Sequence, residues 1–498
     1  MAGPATLDVF CDAPAAFAPR AEWVLGTLLA PLGRRVRLVR ERGAAGDCAL
    51  AYAPAPLAGV PTIPCNARAM DLFASRRPLA GGGFTTQKTP AGDAVGAFPA
   101  APGNGFALPF DLVSSAFILL ACWDERTSSV RDRFGRLPFS AGVFAANPAL
   151  KIEEPAVDRY VALLRALLAP RLAELGLVGL PPSGWLWSDG PAASGGFAVA
   201  LTHDVDNLWR WTPRGFVATG VRSARALRRG DRSALRREVG DLREWATVHV
   251  PRRSDPFWTF PRLLSGEDER GAASTFFIIA SHAHRQDGNQ PGTYRRRIPA
   301  VLGLLRRGRR EIGLHGNDAD RGSASALRLD RDDLAHRSAA DISGIRYHYL
   351  RCLYHETLRI VEDAGFTYDT SLAFAEHEGF RCGASFPFHP YHLDEERPLR
   401  LLELPLAIMD TSLMGPQYRA LDAAGAERAC RDLLARVRAG GGGVAILWHN
   451  NRFDRRSARG YDDVYWRLVE WAQAEGGLVT SAGEIVQRWR EGTGEAAP

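Results

Sequence analysis

The rhythm of apolar and polar positions changes near residue 196. Beyond it, short apolar runs recur, each followed by a polar loop and a stretch of helical spacing. The runs are Phe197-Ala198-Val199-Ala200-Leu201, Ser274 to Ala280, Glu311 to Leu314, Ile342 to Arg346, Leu401 to Ile408, Val444 to Leu447 and Leu478 to Thr480. A run without alternation fits a strand buried on both faces. Leu353 to Ala364 and Ala424 to Val437 carry the spacing of helices between such strands. Strands alternating with helices predict a parallel sheet, closed or doubly wound. In those folds the working residues stand just beyond the C-terminal ends of strands.

The earlier residues read differently. Leu7-Asp8-Val9-Phe10 predicts a strand, and Val157 to Leu175 a helix with Val157, Val161, Leu164, Leu168, Leu172 and Leu175 on one stripe. Residues 181–196 are rich in Pro, Gly and Ser, as linkers are. The expected division is an N-terminal α/β domain over 1–180, a linker over 181–196, a barrel over 197–490 and a disordered tail over 491–498. The glycines at 81 to 83 lack the Lys-Ser/Thr of a phosphate loop. Nothing before residue 181 points to chemistry, so a scaffold or substrate-shaping role is expected there.

Composition narrows the function classes. The 498 residues are 46% hydrophobic and 24% charged, which is an ordinary globular balance. The longest greasy stretch, Leu112 to Trp123, is broken by Ser114 and Ser115 and is too short for a membrane span. Met1 to Asp12 carries no secretion-signal pattern. Seven scattered cysteines without a CxxC pair argue against a disulfide framework or a zinc ribbon, so a cytoplasmic protein is expected. The formal charge of +6 is too modest to mark a specific nucleic-acid partner. All twelve histidines lie at position 203 or later, so histidine chemistry belongs to the second part.

Four strand ends gather the chemistry. After the first strand stands Thr202-His203-Asp204-Val205-Asp206, where alternation puts Asp204 and Asp206 on one side and His203 on the other. Two such carboxylates can divide labour, one holding a cation and one taking a proton. A pair of solvated turn aspartates would read the same way in isolation. The other ends present Gly313-Leu314-His315-Gly316, Arg346-Tyr347-His348-Tyr349 and Leu447-Trp448-His449-Asn450.

Taken together, these residues resemble the NodB-type polysaccharide deacetylases, carbohydrate esterase family 4 and its relatives. The resemblance covers roughly residues 196 to 490, and residues Ser114 to Pro155 resemble a companion domain found in one bacterial branch. It implies an irregular, incomplete (β/α) barrel and a Zn²⁺ or other divalent ion acting on an acetylated carbohydrate. It further implies that Asp206 and His315 are metal ligands and Asp204 the general base. Arg346 then orients that base, and His449 is the general acid. The sequence departs from the pattern at Ala319, where a second ligand histidine is usual, and at His348, where a proline is usual. Because imidazole suits zinc and a strand end is rigid, His348 is the expected third ligand, with Asp320 the alternative.

Two other functions remain open on these residues: a catalytically silent carbohydrate-binding or regulatory barrel in polysaccharide assembly, and a hydrolase of a non-sugar C–N amide bond. Two further features are read from the residues. Phe386-Pro387-Phe388-His389-Pro390-Tyr391 forms either a sugar-stacking wall or a packed loop. The connection after the first strand carries ten arginines between Arg210 and Arg243 against three acids, and is read as a solvated helix pair, with an anion-binding flap for a phosphorylated, nucleotide-linked, lipid-linked or acidic sugar as the alternative. Val221, Leu227, Leu235, Val239, Leu242 and Trp245 are expected to face inward on it.

Overall fold

The computed structural model describes residues 4–101, 103–188, 196–210, 213–247, 255–280, 291–317, 322–454 and 460–495. The first four strands are β1 (Ala5–Cys11), β2 (Arg34–Val39), β3 (Leu50–Ala53) and β4 (Thr62–Pro64). They form a parallel sheet in the order β2-β1-β3-β4. A hairpin of β5 (Phe84–Thr89) and β6 (Gly92–Ala97) follows. The helix Ala156–Glu174 buries the predicted stripe from Val157 to Leu172. A shorter helix, Leu112–Leu120, is buried at every position, and its first turn is capped by Asp111, which accepts from the Ser114 N–H at 2.8 Å.

The large sheet is built from β7 (Phe197–Val205), β8 (Thr275–Ile278), β9 (Glu311–Gly316), β10 (Gly344–Tyr347) and β11 (Tyr368–Asp369). A small antiparallel pair, β12 (Tyr391–His392) and β13 (Arg397–Pro398), precedes the remaining strands. These are β14 (Leu402–Glu403), β15 (Leu406–Met409), β16 (Gly443–Leu447) and β17 (Gly477–Thr480). The order is β14-β11-β10-β9-β8-β7-β16-β15, with β17 beside the first half of β7. Every pairing in this sheet is parallel. Its two ends, β14 and β15, are separated in the chain by Leu404 and Pro405 alone. The sheet must therefore curl until its edges meet at that dipeptide, an incomplete barrel of the expected kind.

β7 is buried along its whole length, which is why it reads as an unbroken apolar run. The run Leu401 to Ile408 is two strands, not one, since the chain changes neighbours from β11 to β16 at Pro405. Proline has no N–H to give a ladder, so the exchange falls there.

The apolar core runs without a break from the first sheet into the barrel. Trp23 donates from its indole N–H to the His389 carbonyl at 2.8 Å, and its ring lies 5.0 Å from Tyr391. Buried Glu125 pairs with buried Arg381. Of residues 181–196, residues 181–188 and Gly196 are described, and Trp187 is buried with its indole N–H on the Gly441 carbonyl at 2.8 Å.

One open alternative is decided and two expectations are corrected. Phe386, Phe388 and Tyr391 are buried, with Phe386 stacked on Trp489, so this loop packs the interior and offers no sugar-stacking wall. In the helix pair Pro213–Arg228 and Arg232–Thr247, Val221, Leu227 and Val239 turn outward, at 46%, 67% and 38% exposure. The side chains of Leu242 and Trp245 lie outside the described residues. The expected tail begins inside a helix: Ala482–Thr493 continues past residue 491, and Glu495 accepts from His389 at 3.1 Å.

Candidate functional site

The site is assembled by register. Arg346 on β10 lies directly beside His315 on β9, and Asp204 on β7 beside Phe277 on β8. Thr202, Asp204 and Asp206 then share one face by strand alternation. Arg346 is fully buried and its guanidinium lies 4.6 Å from the centre of the Phe277 ring. Gly313 makes room for that ring, since a Cβ there would come within 2.5 Å of it.

Arg346 donates from Nη1 to Asp204 Oδ1 at 3.0 Å and to Thr202 Oγ1 at 2.8 Å, and from Nε to the Thr370 carbonyl at 2.9 Å. A charge this deep is tolerated because these partners compensate its lost hydration. The second oxygen of Asp204 is left facing His315 Nε2, 3.7 Å away.

Three side chains converge above this pair. Asp206 Oδ1 lies 3.2 Å from His315 Nε2 and 3.7 Å from His348 Nε2. The donor atoms of Asp206, His315 and His348 all lie within 4.8 Å of one another. Ligands about 2.1 Å from a tetrahedral ion are about 3.4 Å apart, close to the two shorter separations. His315 Nδ1 sits 2.8 Å from the Arg346 carbonyl. Donating that N–H fixes the tautomer and leaves the Nε2 lone pair aimed into the cluster. Asp206 Oδ1 and His315 Nε2 are both buried, and among the described residues neither makes a well-aligned hydrogen bond, although they lie 3.2 Å apart. Buried polar atoms are rarely left so, and two ligand atoms facing one point fit a shared divalent cation.

The carboxylates and imidazoles of the cluster shift one another's titration. Burial opposes the charge on Asp206, but His348, His315 and His449 outweigh it and hold the carboxyl well below the usual carboxylate range. Burial also opposes charge on His315, and the carboxylates of Asp204 and Asp206 overcome it, raising the ring's pKa.

His449, just past β16, closes the opposite side with Nε2 3.5 Å from Asp206 Oδ2. Its ring Nδ1 lies 2.7 Å from Asp410 Oδ1, and its backbone N–H donates to Asp410 Oδ2 at 2.9 Å. Burial works against a charged ring, yet the Asp410 carboxylate prevails and lifts His449 to about 9. Asp410 itself, despite burial, is held at about 2 by His449. This aspartate follows β15 immediately and is absent from the sequence reading. The strand-end rule would have found it had the apolar run been followed two residues past Ile408.

His203 points the other way, as alternation requires. It is fully buried, with Nδ1 2.6 Å from the Trp448 carbonyl and Nε2 2.9 Å from Glu267 Oε1. Tyr465, Ser274 and Arg310 complete that network around Glu267, so the ring ties β7 to its surroundings away from Asp204 and Asp206. Asp318, Ala319 and Asp320 lie outside the described residues.

The backbone that delivers His348 is unusual. Tyr349 and Leu350, the two residues after it, both adopt left-handed conformations, with φ of 59° and 55°. For side chains of this size that costs on the order of 1 kcal/mol or more per residue, so surrounding contacts must hold the turn.

Comparison with known proteins gives three findings. A family model described as a "Family of unknown function (DUF7033)" matches residues 32–172. No curated protein matches the chain. Among solved structures, a protein from Mycobacterium smegmatis assigned as a polysaccharide deacetylase is 18% identical, with a TM-score of 0.40, over 61% of this chain and 93% of that one. One from Pseudomonas aeruginosa PAO1 with the same assignment is 16% identical, with a TM-score of 0.38, over 59% and 91%. A CE4 family pseudoenzyme from Bacillus anthracis is 9% identical, with a TM-score of 0.30, over 58% and 65%.

Proposed function

We propose that this chain is a metal-dependent deacetylase that removes N- or O-acetyl groups from a glycan or glycan precursor. The observation that carries this reading is one rim holding the three donors Asp206, His315 and His348 between an Arg346–Asp204 pair and an Asp410–His449 pair.

In this reading, Asp206, His315 and His348 hold a divalent ion. When bound, such an ion supplies Lewis acidity toward an acetyl carbonyl and toward water. The remaining steps belong to this chain's own groups. Asp204, oriented by Arg346, takes a proton from the attacking water onto Oδ2. His449 carries a proton on Nε2, because the neighbouring Asp410 favours the charged ring. It delivers that proton to the departing amine or alkoxide. Asp410 fixes the ring's orientation through Nδ1 and the backbone N–H, as the aspartate of a hydrolase triad orients its histidine.

The test is acetate release from N- and O-acetylated oligosaccharides by the purified full chain, with added Zn²⁺ and after chelation. Metal-dependent release is expected. An ion bound without any acetate release would favour the silent carbohydrate-binding barrel. Turnover confined to non-sugar amides would favour the C–N hydrolase.

A further inference from the structure

The first 180 residues send one loop to the proposed metal site, and it meets the chain where His348 is delivered. That loop, residues 132–136, is braced on itself. Asp132 Oδ1 accepts the N–H groups of Phe134 and Arg136 at 2.8 and 3.0 Å, and its Oδ2 accepts from Arg136 Nε and Nη2 at 2.9 and 2.7 Å. The Asp132 N–H returns to the Arg136 carbonyl at 2.8 Å. A loop so closed presents its side chains in a fixed geometry.

Both presented groups land on Tyr349. Arg136 donates from Nη1 to the Tyr349 carbonyl at 2.5 Å. The Phe134 ring stacks on the Tyr349 ring at 4.8 Å and 16°. Tyr349 in turn stacks on His348, centroids 3.9 Å apart and planes 21° apart. A column therefore runs from Phe134 through Tyr349 to the imidazole whose Nε2 faces Asp206. Arg351 lies over both Phe134 and Tyr349, at 5.3 and 5.6 Å, and closes the column's side. Farther along, Glu125 accepts the Tyr354 N–H at 2.6 Å, and His355 Nε2 reaches the Cys122 carbonyl at 3.3 Å.

The left-handed turn at Tyr349 and Leu350 explains why such bracing is needed. The strained residue Tyr349 is joined directly to His348 and stacks on its ring, so what holds Tyr349 also bears on the imidazole. The stack and the carbonyl contact both fall on the strained residue itself, where strain must be over-determined to persist. Outer partners that fix a ligand ring commonly govern metal affinity.

We infer that Phe134 and Arg136, from the segment matched by the family of unknown function, are positioning residues for the metal site and set the orientation of His348. This rests on the proposed metal reading of Asp206, His315 and His348.

The experiment uses the full chain, Zn²⁺ affinity by competition with a chromophoric chelator, and the visible spectrum of the Co²⁺-loaded protein. Phe134→Ala should weaken Zn²⁺ binding about tenfold or more and shift the Co²⁺ spectrum toward that of His348→Ala. Phe134→Tyr should restore both. Arg136→Met keeps the stem, deletes the carbonyl contact and should act in the same direction, which covers a Phe134→Ala protein that folds poorly. In a His348→Ala background, adding Phe134→Ala should cost no further affinity. A purely structural contact would lower the melting temperature and leave the Co²⁺ spectrum unchanged, which overturns the inference. So does an additive loss in the double variant. If the wild-type chain takes up no divalent ion, the metal reading falls together with it. If wild type binds and His348→Ala weakens binding while Phe134→Ala and Arg136→Met do not, the positioning role alone falls.

Discussion

Asp410 holds His449 at two points, its Oδ1 2.7 Å from the ring Nδ1 and its Oδ2 accepting the backbone N–H at 2.9 Å. A histidine fixed this way has one free nitrogen, and it faces Asp206 and the site. Asp410→Ala should therefore leave metal binding near wild type and reduce acetate release by about 10²-fold or more, as loss of an orienting aspartate does in other hydrolases. Paired metal-content and acetate assays check this. Wild-type turnover would remove Asp410 from the machinery.

Asp204 and Asp206 are two residues apart but have different partners, so their substitutions should separate. Asp204→Asn keeps the contact to Arg346 and cannot accept a proton. Metal content should stay and acetate release should fall by about 10²-fold or more. His449→Ala should behave likewise, most severely with poor leaving groups. Undiminished turnover in Asp204→Asn would exclude it as the base.

The donor cluster makes a different demand. Asp206→Ala and His315→Ala should each strip the ion on dialysis, and His348→Ala should weaken its binding measurably, while Asp320→Ala should do little. Metal analysis after dialysis reads this directly. A stronger loss in Asp320→Ala than in His348→Ala would move the third ligand to the loop.

Why some of this was legible and some was not follows from what a sequence pattern encodes. Continuous apolar runs locate buried parallel strands, and strand ends locate polar groups, so Asp204, Asp206, His315, Arg346, His348 and His449 could be named together. Their gathering depends on the register of β7, β9, β10 and β16, which those runs constrain. Periodicity gives the phase of a helix but not which side its partner occupies. That is why Val221, Leu227 and Val239 were expected inward and lie outward. Proline at 405 marks an exchange of strand partners, and reading across it hid Asp410. The contact between Phe134 and Tyr349 joins distant parts of the chain through a turn no propensity would predict, since two bulky residues with positive φ oppose local preference.

Asp158 gives a prediction independent of the metal. It lies buried on the helix Ala156–Glu174, where Oδ1 accepts the Ser385 N–H at 2.9 Å and Oδ2 accepts the Ser385 hydroxyl. Burial pushes this carboxyl up to about 7 despite the Ser385 hydrogen bonds. In the unfolded chain it titrates near 3.9. The folded state thus holds a proton that the unfolded state releases between those values. The contribution to stability is full below about 4, declines as pH rises and is lost through about 7, where folding must bury a carboxylate. Asp158→Asn keeps an acceptor for the Ser385 N–H and carries no charge. Its melting temperature should approach or fall below wild type at pH 4 and exceed it at pH 8, so that the two curves cross. Parallel curves across that range would mean Asp158 enters the fold already ionised.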